Sequence, residues 1–342
     1  MALDLTIIVP AYNEAHRLGP GIKRFDDAVG DGAIDLERTQ VVVVDDGSTD
    51  DTAQTARSLL AHLPHHRVLS HATNRGKGAA IRTGLALAEG ACTAFMDADF
   101  AIDPRAVPQL LEGLRTHDVV IGSRALPDSM VESNYALRAV MGNLFNRLVT
   151  VGTGLDLKDT QCGFKAFRTP VARLLFHLVR IDRFAFDVVV LARADRLGLR
   201  IAEIPVQWKH VPGSTIHPLH DGVAMLSDVY RSRLGLVPTP PVPTVVVGNP
   251  ADPAEPAAFV AGVGAAVAAT LGGTPVPMVA GPTSVTVLLP LVDPATSAEV
   301  LSALQAEFGA LGVRRRASTM ATLSELGPLA GRLEPTSWPL GT

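Results

Sequence analysis

The sequence has few of the residues on which several common classes of protein depend. Its 342 residues include only two cysteines, Cys92 and Cys162, too few for a disulfide framework or a zinc knuckle. The formal net charge is −4, which argues against nucleic acid as a partner, because binding to phosphate backbones needs an excess of Lys and Arg. We therefore expect a protein of a reducing, cytoplasmic compartment with no nucleic-acid partner.

Signals for export and for membrane insertion are also weak. The N-terminus has no basic region followed by an apolar core, so we expect no signal peptide. The nearest candidate for a membrane span, residues 257–273, is rich in Ala and Gly and only weakly apolar. A buried or surface helix is the better interpretation of that stretch.

What the sequence does contain is a regular alternation of strand-like and helix-like segments. Apolar residues make up 47% of the chain and charged residues 19%, which is typical of a globular protein. The predicted strands cover residues 5–9, 40–44, 67–70, 92–96 and 118–121. This alternation predicts an α/β fold with a mostly parallel central sheet and helices on both faces.

Two carboxylates follow the fourth predicted strand directly. Asp97 and Asp99 are separated by one residue, so their side chains share a face if the chain stays extended. Two oxygen ligands suit Mg²⁺ or Mn²⁺, which bind through one or two carboxylates together with waters and substrate phosphates. The alternative is a solvated turn after a buried strand.

Other polar residues lie just past strand ends, where ligands bind in sheets of this kind. Asp45 and Asp46 close a strand of four valines, and one of them could accept a hydrogen bond from a base or a ribose; helix capping is the alternative. Tyr12 could offer an aromatic face to a base, and Glu14 a further polar contact. Arg124 ends the fifth strand. We expect these residues to converge on the carboxyl edge of the sheet.

Three cations could serve anionic ligands at this edge. Lys77 lies between two glycines in residues 74–78, at a helix start that could offer free N–H groups to a phosphate, although an ordinary glycine-rich turn explains the pattern equally well. Arg124 and Arg138 would suit a second phosphate on an acceptor. The predicted helix that carries Arg138 has an apolar face, which could pack in the core or face lipid.

The motifs occur together in an order seen in family 2 glycosyltransferases. They cover residues 9–14, 44–48, 74–78, 97–99, 122–124, 159–165 and 203–208. The chain most resembles the polyprenyl-phosphate sugar synthases of that family, and among them the dolichyl-phosphate β-glucosyltransferases. The resemblance extends over residues 4–235, and Asp-Thr-Gln-Cys-Gly-Phe-Lys at 159–165 is its most discriminating part.

This resemblance implies a GT-A fold, the fold of nucleotide-diphospho-sugar transferases, and an inverting reaction. The nucleotide-sugar donor would be held by Pro10, Ala11, Tyr12, Glu14, Asp45, Asp46, Lys77 and Asp97. Asp97 and Asp99 would bind Mg²⁺ or Mn²⁺, and Arg124 and Arg138 would bind the acceptor phosphate. Because Thr215 stands where the family's mobile loop normally carries Lys, Lys209 or His210 could supply a further cation for that phosphate. Asp99, Arg124 and Arg138 would form the catalytic set. The chain departs from the pattern at Ala101, where mannose synthases carry Gln, and at Val189, where glucosyltransferases usually carry an acid.

The resulting expectation is transfer of a hexose, with glucose favoured, from a UDP-sugar to polyprenyl or dolichyl phosphate. The enzyme would associate peripherally with the cytoplasmic face of a membrane. One alternative keeps the fold but uses a soluble hydroxyl acceptor, in which case Asp187 would become the essential base. Transfer from GDP-mannose and a non-catalytic nucleotide-sugar-binding protein are further alternatives.

Composition divides the chain into three parts. We expect a catalytic domain at 1–235, a Pro-rich linker at 236–256 and a small α/β domain rich in Ala, Gly and Pro at 257–342. In that domain, residues 284–289 predict a strand and residues 295–308 a helix. It could dock on the catalytic domain, form a homo-oligomer or contact anionic lipid through Arg314–Arg316, for which a solvated basic turn is the simpler interpretation.

Overall fold

The structure is a computed structural model that describes residues 3–132, 153–209, 211, 218–234, 236–248, 256–272, 276–280, 284–318, 323 and 333–334. Its strands are β1 (Leu5–Ala11), β2 (Thr39–Asp45), β3 (His66–Ser70), β4 (Cys92–Met96), β5 (Val119–Ser123), β6 (Met130–Glu132), β7 (Phe164–Arg168), β8 (Ile201–Pro205), β9 (Gln207–Lys209), β10 (Val242–Gly248), β11 (Met278–Ala280), β12 (Ser284–Leu288), β13 (Val313–Ser318) and β14 (Leu333–Glu334). Its α-helices are α1 (Ala15–Gly30), α2 (Thr52–Leu60), α3 (Lys77–Ala86), α4 (Val107–Leu114), α5 (Thr169–Leu178), α6 (Phe186–Arg196), α7 (Pro218–Arg233), α8 (Pro256–Thr270) and α9 (Pro294–Phe308).

The main sheet has seven strands in the order β3-β2-β1-β4-β7-β5-β8. All of its pairings are parallel except those of β7, which runs antiparallel to both β4 and β5. The mostly parallel sheet predicted from the sequence is therefore confirmed, and each of the five predicted strands is present. The apolar runs of β1, β2, β4 and β5 reflect burial on both faces, whereas edge strand β3 is only partly buried.

Helices cover both faces of this sheet, as predicted. Ile7 and Val9 on β1 pack in one apolar layer, which includes side chains of α1, α2 and α4. Ile8, between them, packs in the opposite layer with side chains of α3, α5 and α6. This alternation follows from the two-residue period of a strand, and it buries the sheet between two layers of helices.

The strand order reverses direction at β1, with β2 on one side and β4 on the other. Ligands of open α/β sheets bind beyond the carboxyl ends of the strands at such a switch point. Antiparallel β7 begins at this same edge, because Phe164 pairs with Met96 at the end of β4. The segment 159–163, just before β7, is thereby carried to the carboxyl edge of the parallel strands.

The C-terminal region forms a separate sheet in the order β13-β10-β12-β11-β14 with antiparallel pairings. Its first six elements follow the sequence β-α-β-β-α-β, the ferredoxin-like arrangement. This confirms the predicted α/β appendage. However, β10 (Val242–Gly248) lies within the stretch predicted as a linker, and Arg314–Arg316 lie in edge strand β13 instead of a turn.

The C-terminal sheet packs against α5 of the catalytic part. His177 on α5 donates from Nε2 to the carbonyl of Pro241 at 3.0 Å, and its Nδ1 accepts the backbone N–H of Leu291 at 3.2 Å. Val242 and Leu288 of the C-terminal sheet belong to the same apolar core as α5. The two parts therefore share buried surface, and the burial lowers the pKa of His177 below its usual value.

Most of residues 257–273, the stretch considered as a membrane span, lies in helix α8. It spans fifteen residues, Pro256–Thr270. Within the described ranges, no helix combines the length and apolarity that a membrane crossing requires.

Candidate active site

The loops after β1 and β2 are joined by hydrogen bonds that make one continuous rim. The N–H of Asn13 donates to Ser48 Oγ at 2.9 Å, and the N–H of Thr49 donates to Asn13 Oδ1 at 2.9 Å. Asn13 has a φ of 55°, a left-handed conformation that asparagine tolerates better than most residues. No role was predicted for Asn13, although its place in the motif at residues 9–14 was a signal.

Most residues predicted to hold the nucleoside lie along this rim. Pro10 and Ala11 are the last residues of β1, and Ala11 pairs with Asp45 at the end of β2. Asp45 is buried and accepts the N–H of Ser48 at 3.0 Å. Tyr12 stands out from the rim with 36% of its surface exposed. An aromatic face and a carboxylate therefore lie on adjacent strand ends, an arrangement that suits a base and a ribose.

Asp46 has a structural role that the sequence analysis did not foresee. Its carboxylate accepts the N–H of Arg75 at 3.0 Å, the N–H of Gly76 at 2.6 Å and a hydrogen bond from His71 Nδ1 at 2.6 Å. These bonds hold the loop that leads into α3 against the end of β2. Direct contact between Asp46 and a nucleoside stays a prediction.

Lys77, the first residue of α3, reaches the metal motif. Its Nζ lies 2.6 Å from Asp97 Oδ1. Burial opposes the charge of Lys77, but the attraction of Asp97 and Asp187 outweighs it and raises the lysine pKa above its usual value. The prediction that this helix start offers free N–H groups is wrong for Gly78, because its N–H donates to the carbonyl of Asp182 at 2.7 Å.

Asp97 and Asp99 lie where the sequence predicted, in the loop after β4. The side chain of Asp97 is 46% exposed and that of Asp99 17%. Burial and the nearby charge of Asp97 both raise the pKa of Asp99. In the described part of the chain, no three His, Cys, Asp or Glu side chains cluster as a metal site. Two carboxylates fit Mg²⁺ or Mn²⁺ when phosphate oxygens and waters complete the coordination.

Arg17 and Glu14 form an ion pair next to this loop. Arg17 Nε lies 2.5 Å from Glu14 Oε2, and its Nη2 contacts Glu14 Oε1. Arg17 Nη1 donates to Asp99 Oδ2 at 3.2 Å. The carboxylate of Glu14, predicted to contact the nucleoside, is therefore held by Arg17, and burial raises its pKa. Arg17 lies outside the sequence motifs, and no role was predicted for it.

Arg124 is held by Asp159 through a two-pronged ion pair. Arg124 Nε lies 2.7 Å from Asp159 Oδ2, and Nη2 lies 3.0 Å from Oδ1. Burial opposes both charges, but the pair outweighs it, so the pKa of Arg124 is raised and that of Asp159 is lowered. Arg138, the second predicted acceptor-phosphate residue, lies outside the described residues.

The segment 159–165 touches both the metal motif and the sheet. A Cβ added at Gly163 would lie 2.6 Å from Asp97 Oδ1 and closer still to Oδ2, so only glycine leaves Asp97 its present place. Two residues on, buried Lys165 donates from Nζ to Asp187 Oδ1 and to the carbonyl of Cys162, both at 2.6 Å. The expectation that this segment folds over the site is consistent with these contacts.

The family model for glycosyl transferase family 2 matches residues 6–176. The chain belongs to glycosyltransferase family 2. The dolichyl-phosphate β-glucosyltransferase of Dictyostelium discoideum is 36% identical over 243 residues, covering 67% of this chain and 73% of that protein. That of Drosophila melanogaster is 35% identical over 245 residues, covering 67% and 74%.

A solved structure supports the same assignment of fold. Glucosyl-3-phosphoglycerate synthase from Mycobacterium tuberculosis, crystallised with Mn²⁺, UDP and phosphoglyceric acid, superposes with a TM-score of 0.52 at 21% identity. The match covers 73% of this chain and 84% of that one. The predicted GT-A fold and the predicted family are confirmed, and the protein is a glycosyltransferase.

Lys209 lies at the outer side of this glycosyltransferase site. Its N–H donates to the carbonyl of Ala101 at 2.8 Å, two residues after Asp99. Its exposed ammonium lies 3.4 Å from Glu132 Oε2. Lys209 and Trp208 line a cavity of about 240 Å³ together with Phe100, Arg24, Arg105 and Met130, among others. The structure thus places Lys209 beside residues 97–101, the metal loop, and its role toward an acceptor stays a prediction.

Proposed function

We propose that this glycosyltransferase moves glucose from UDP-glucose to a polyprenyl phosphate with inversion, at the surface of a membrane. The proposal is supported by relatives with 35–36% identity that bear the name dolichyl-phosphate β-glucosyltransferase. It is also supported by the arrangement around Asp97, where Lys77 binds one carboxylate oxygen and the segment that holds Arg124 contacts the same side chain. The proposal depends on that arrangement. Lys77 would bind the donor diphosphate on one side of the metal site, and Arg124 would bind the acceptor phosphate on the other.

The donor side depends on charge neutralisation. Asp97 and Asp99 would hold Mg²⁺ or Mn²⁺, which would take up the charge that develops on the departing nucleoside diphosphate. Lys77, whose pKa is raised by the attraction of Asp97 and Asp187 against the effect of burial, would bind a diphosphate oxygen once Asp97 has turned to the metal. Tyr12 and Asp45 would bind the nucleoside at the neighbouring strand ends.

The acceptor side depends on orientation. Asp159 takes the Nε and Nη2 donors of Arg124, which fixes the plane of the guanidinium, and Nη1 would bind the acceptor phosphate. A phosphate is already an anionic nucleophile, so its attack needs positioning more than a base. With a hydroxyl acceptor, Asp187 would be the expected base, and its pairing with buried Lys165 argues against that role and supports the phosphate acceptor.

A donor and acceptor panel tests this function. Radiolabelled UDP- and GDP-sugars would be incubated with a short-chain polyprenyl phosphate, and with the matching polyprenol as a control, in Mn²⁺, Mg²⁺ or EDTA. We expect a lipid-soluble product from UDP-glucose and the phosphorylated lipid, only with metal, and a β-linked sugar by NMR from an α-linked donor. Label that stays in the aqueous phase, or equal transfer to the polyprenol, would contradict a lipid-phosphate acceptor.

A further inference from the structure

One face of α1 contacts the metal loop at residues 98–100. Arg17, Gly21 and Arg24 lie four and three residues apart, so they share that face. Arg17 reaches the carboxylate of Asp99, and Arg24 Nη1 donates to the carbonyl of Phe100 at 3.0 Å. A Cβ on Gly21 would come within 2.7 Å of the carbonyl oxygen of Ala98. The helix therefore packs directly on the loop, without an intervening side chain at Gly21.

Within this contact, Arg17 has a fixed geometry. Glu14 binds its guanidinium through two oxygens, and both side chains are about nine-tenths buried. Glu14 is itself fixed, because its N–H donates to Thr52 Oγ1 at 2.8 Å. A planar guanidinium held along one edge presents its remaining N–H donors in one direction, and in this protein that direction is toward Asp99.

The Glu14–Arg17 pair is neutral as a unit. A lone cation beside Asp99 would repel a divalent metal, whereas a cation whose charge is cancelled by Glu14 orients the ligand with little repulsion. Asp99 Oδ2 accepts from Arg17 and Oδ1 accepts the N–H of Ala101 at 3.1 Å. A carboxylate oxygen accepts two bonds, so each oxygen retains capacity for a metal.

We propose that Arg17 is the positioning residue of metal ligand Asp99 and that Glu14 balances the positive charge of Arg17. This inference depends on the metal site of the proposed function, but not on the sugar or the acceptor. It assigns Glu14 to the metal loop and not to the nucleoside. It also explains how a loop with Ala101, which has no side-chain ligand to offer, keeps its second carboxylate in place. Partners of this kind typically affect metal affinity by about 10- to 100-fold.

The test is Mn²⁺ affinity, measured by electron paramagnetic resonance in the presence of UDP. Arg17→Met should weaken Mn²⁺ binding by about 10- to 100-fold while leaving the affinity for UDP in EDTA unchanged. Lys23→Met is the matched control, because Lys23 is an exposed cation on the same helix, paired with Asp27, and its loss should change neither affinity. Arg17→Lys should also lose affinity, since an ammonium cannot reproduce the planar fork.

Arg17→Met could fold poorly, because it leaves Glu14 buried without its partner. The double variant Glu14→Gln with Arg17→Met removes both charges, and it should fold yet bind Mn²⁺ weakly. Wild-type Mn²⁺ affinity in the double variant, or in Arg17→Lys, would overturn the positioning role. Asp99→Asn separates the two proposals. If Asp99→Asn still binds Mn²⁺ as tightly as wild type, the proposed metal site is wrong. If Asp99→Asn loses Mn²⁺ affinity but the Arg17 variants keep it, only the positioning role of Arg17 is wrong.

Discussion

Replacing Gly163 by alanine should separate catalysis from stability. The added Cβ would lie 2.5 Å from Asp97 Cγ and 2.6 Å from Oδ1. The group in its way is the tip of a flexible side chain, so the carboxylate can turn aside at little energetic cost. The backbone of Gly163 lies outside the left-handed region, so alanine fits its conformation. We therefore expect a folded protein with a displaced metal ligand.

The size of the effect follows from the overlap. An ordinary carbon–oxygen contact is longer than the clash by about 1 Å, and a displacement of that size at a reacting centre costs roughly a hundredfold in rate. Stability should rise slightly or stay the same, because alanine at a position whose conformation it can adopt restricts the unfolded chain and stabilises the fold by about 0.4–1 kcal/mol. Gly163→Ala should therefore lower kcat/KM about a hundredfold without lowering Tm.

The assay is glucose transfer to a polyprenyl phosphate at saturating Mn²⁺, with thermal unfolding measured on the same samples. Gly262→Ala is the control: its Cβ would lie 3.8 Å from Phe308 in the C-terminal module, an ordinary contact, and it should leave activity unchanged. Wild-type kcat/KM in Gly163→Ala would refute the idea that the contact of Gly163 with Asp97 sets the position of the metal ligand. A large fall in Tm would refute the separation of catalysis from stability.

Three further predictions concern buried charges. Lys165→Met should lower the free energy of unfolding in urea by about 3–5 kcal/mol, and adding Asp187→Leu should restore most of it; equal stability of both variants would contradict a buried pair. Stability should fall as pH drops from about 7.5 to 5.5, because burial lowers the folded pKa of His177 below its unfolded value, and His177→Gln should show a smaller fall; an unchanged pH profile would contradict this. Asp159→Asn should lower kcat/KM for the lipid phosphate by about tenfold through a less ordered Arg124, with UDP affinity unchanged; a loss of UDP affinity would place Arg124 on the donor side.

The sequence was a good guide where local pattern decides structure. Five strands of the main sheet, β1 to β5, were predicted closely, and the carboxyl edge followed from their alternation with helices. β7 and β8 carry Lys165 and Glu203 among their apolar residues, and they were not predicted as strands. The linker prediction failed in part because Pro241 and Pro243 suggested an irregular chain. Pro243 lies at the start of β10, where its carbonyl accepts the N–H of Leu289 and its missing N–H matters little.

Contacts between distant segments could not be predicted in this way. Arg17 and Asp99 are 82 positions apart, and only the packing of α1 on the loop brings them together. The contacts of Asp46 also join distant segments. Its position after a strand predicted contact with a ligand, but its carboxylate oxygens accept backbone N–H groups of Arg75 and Gly76. A carboxylate after a strand looks the same in sequence whether it contacts a ligand or its own protein.

The most direct test of the proposed reaction is the transfer of label from UDP-glucose to a short-chain polyprenyl phosphate by wild type and by Asp97→Asn with Asp99→Asn. We expect a lipid-soluble product from wild type that disappears in EDTA and returns with Mn²⁺, and no product above background from the double variant. Undiminished transfer by the double variant, or by wild type in EDTA, would contradict a metal-dependent transfer at this edge of the sheet.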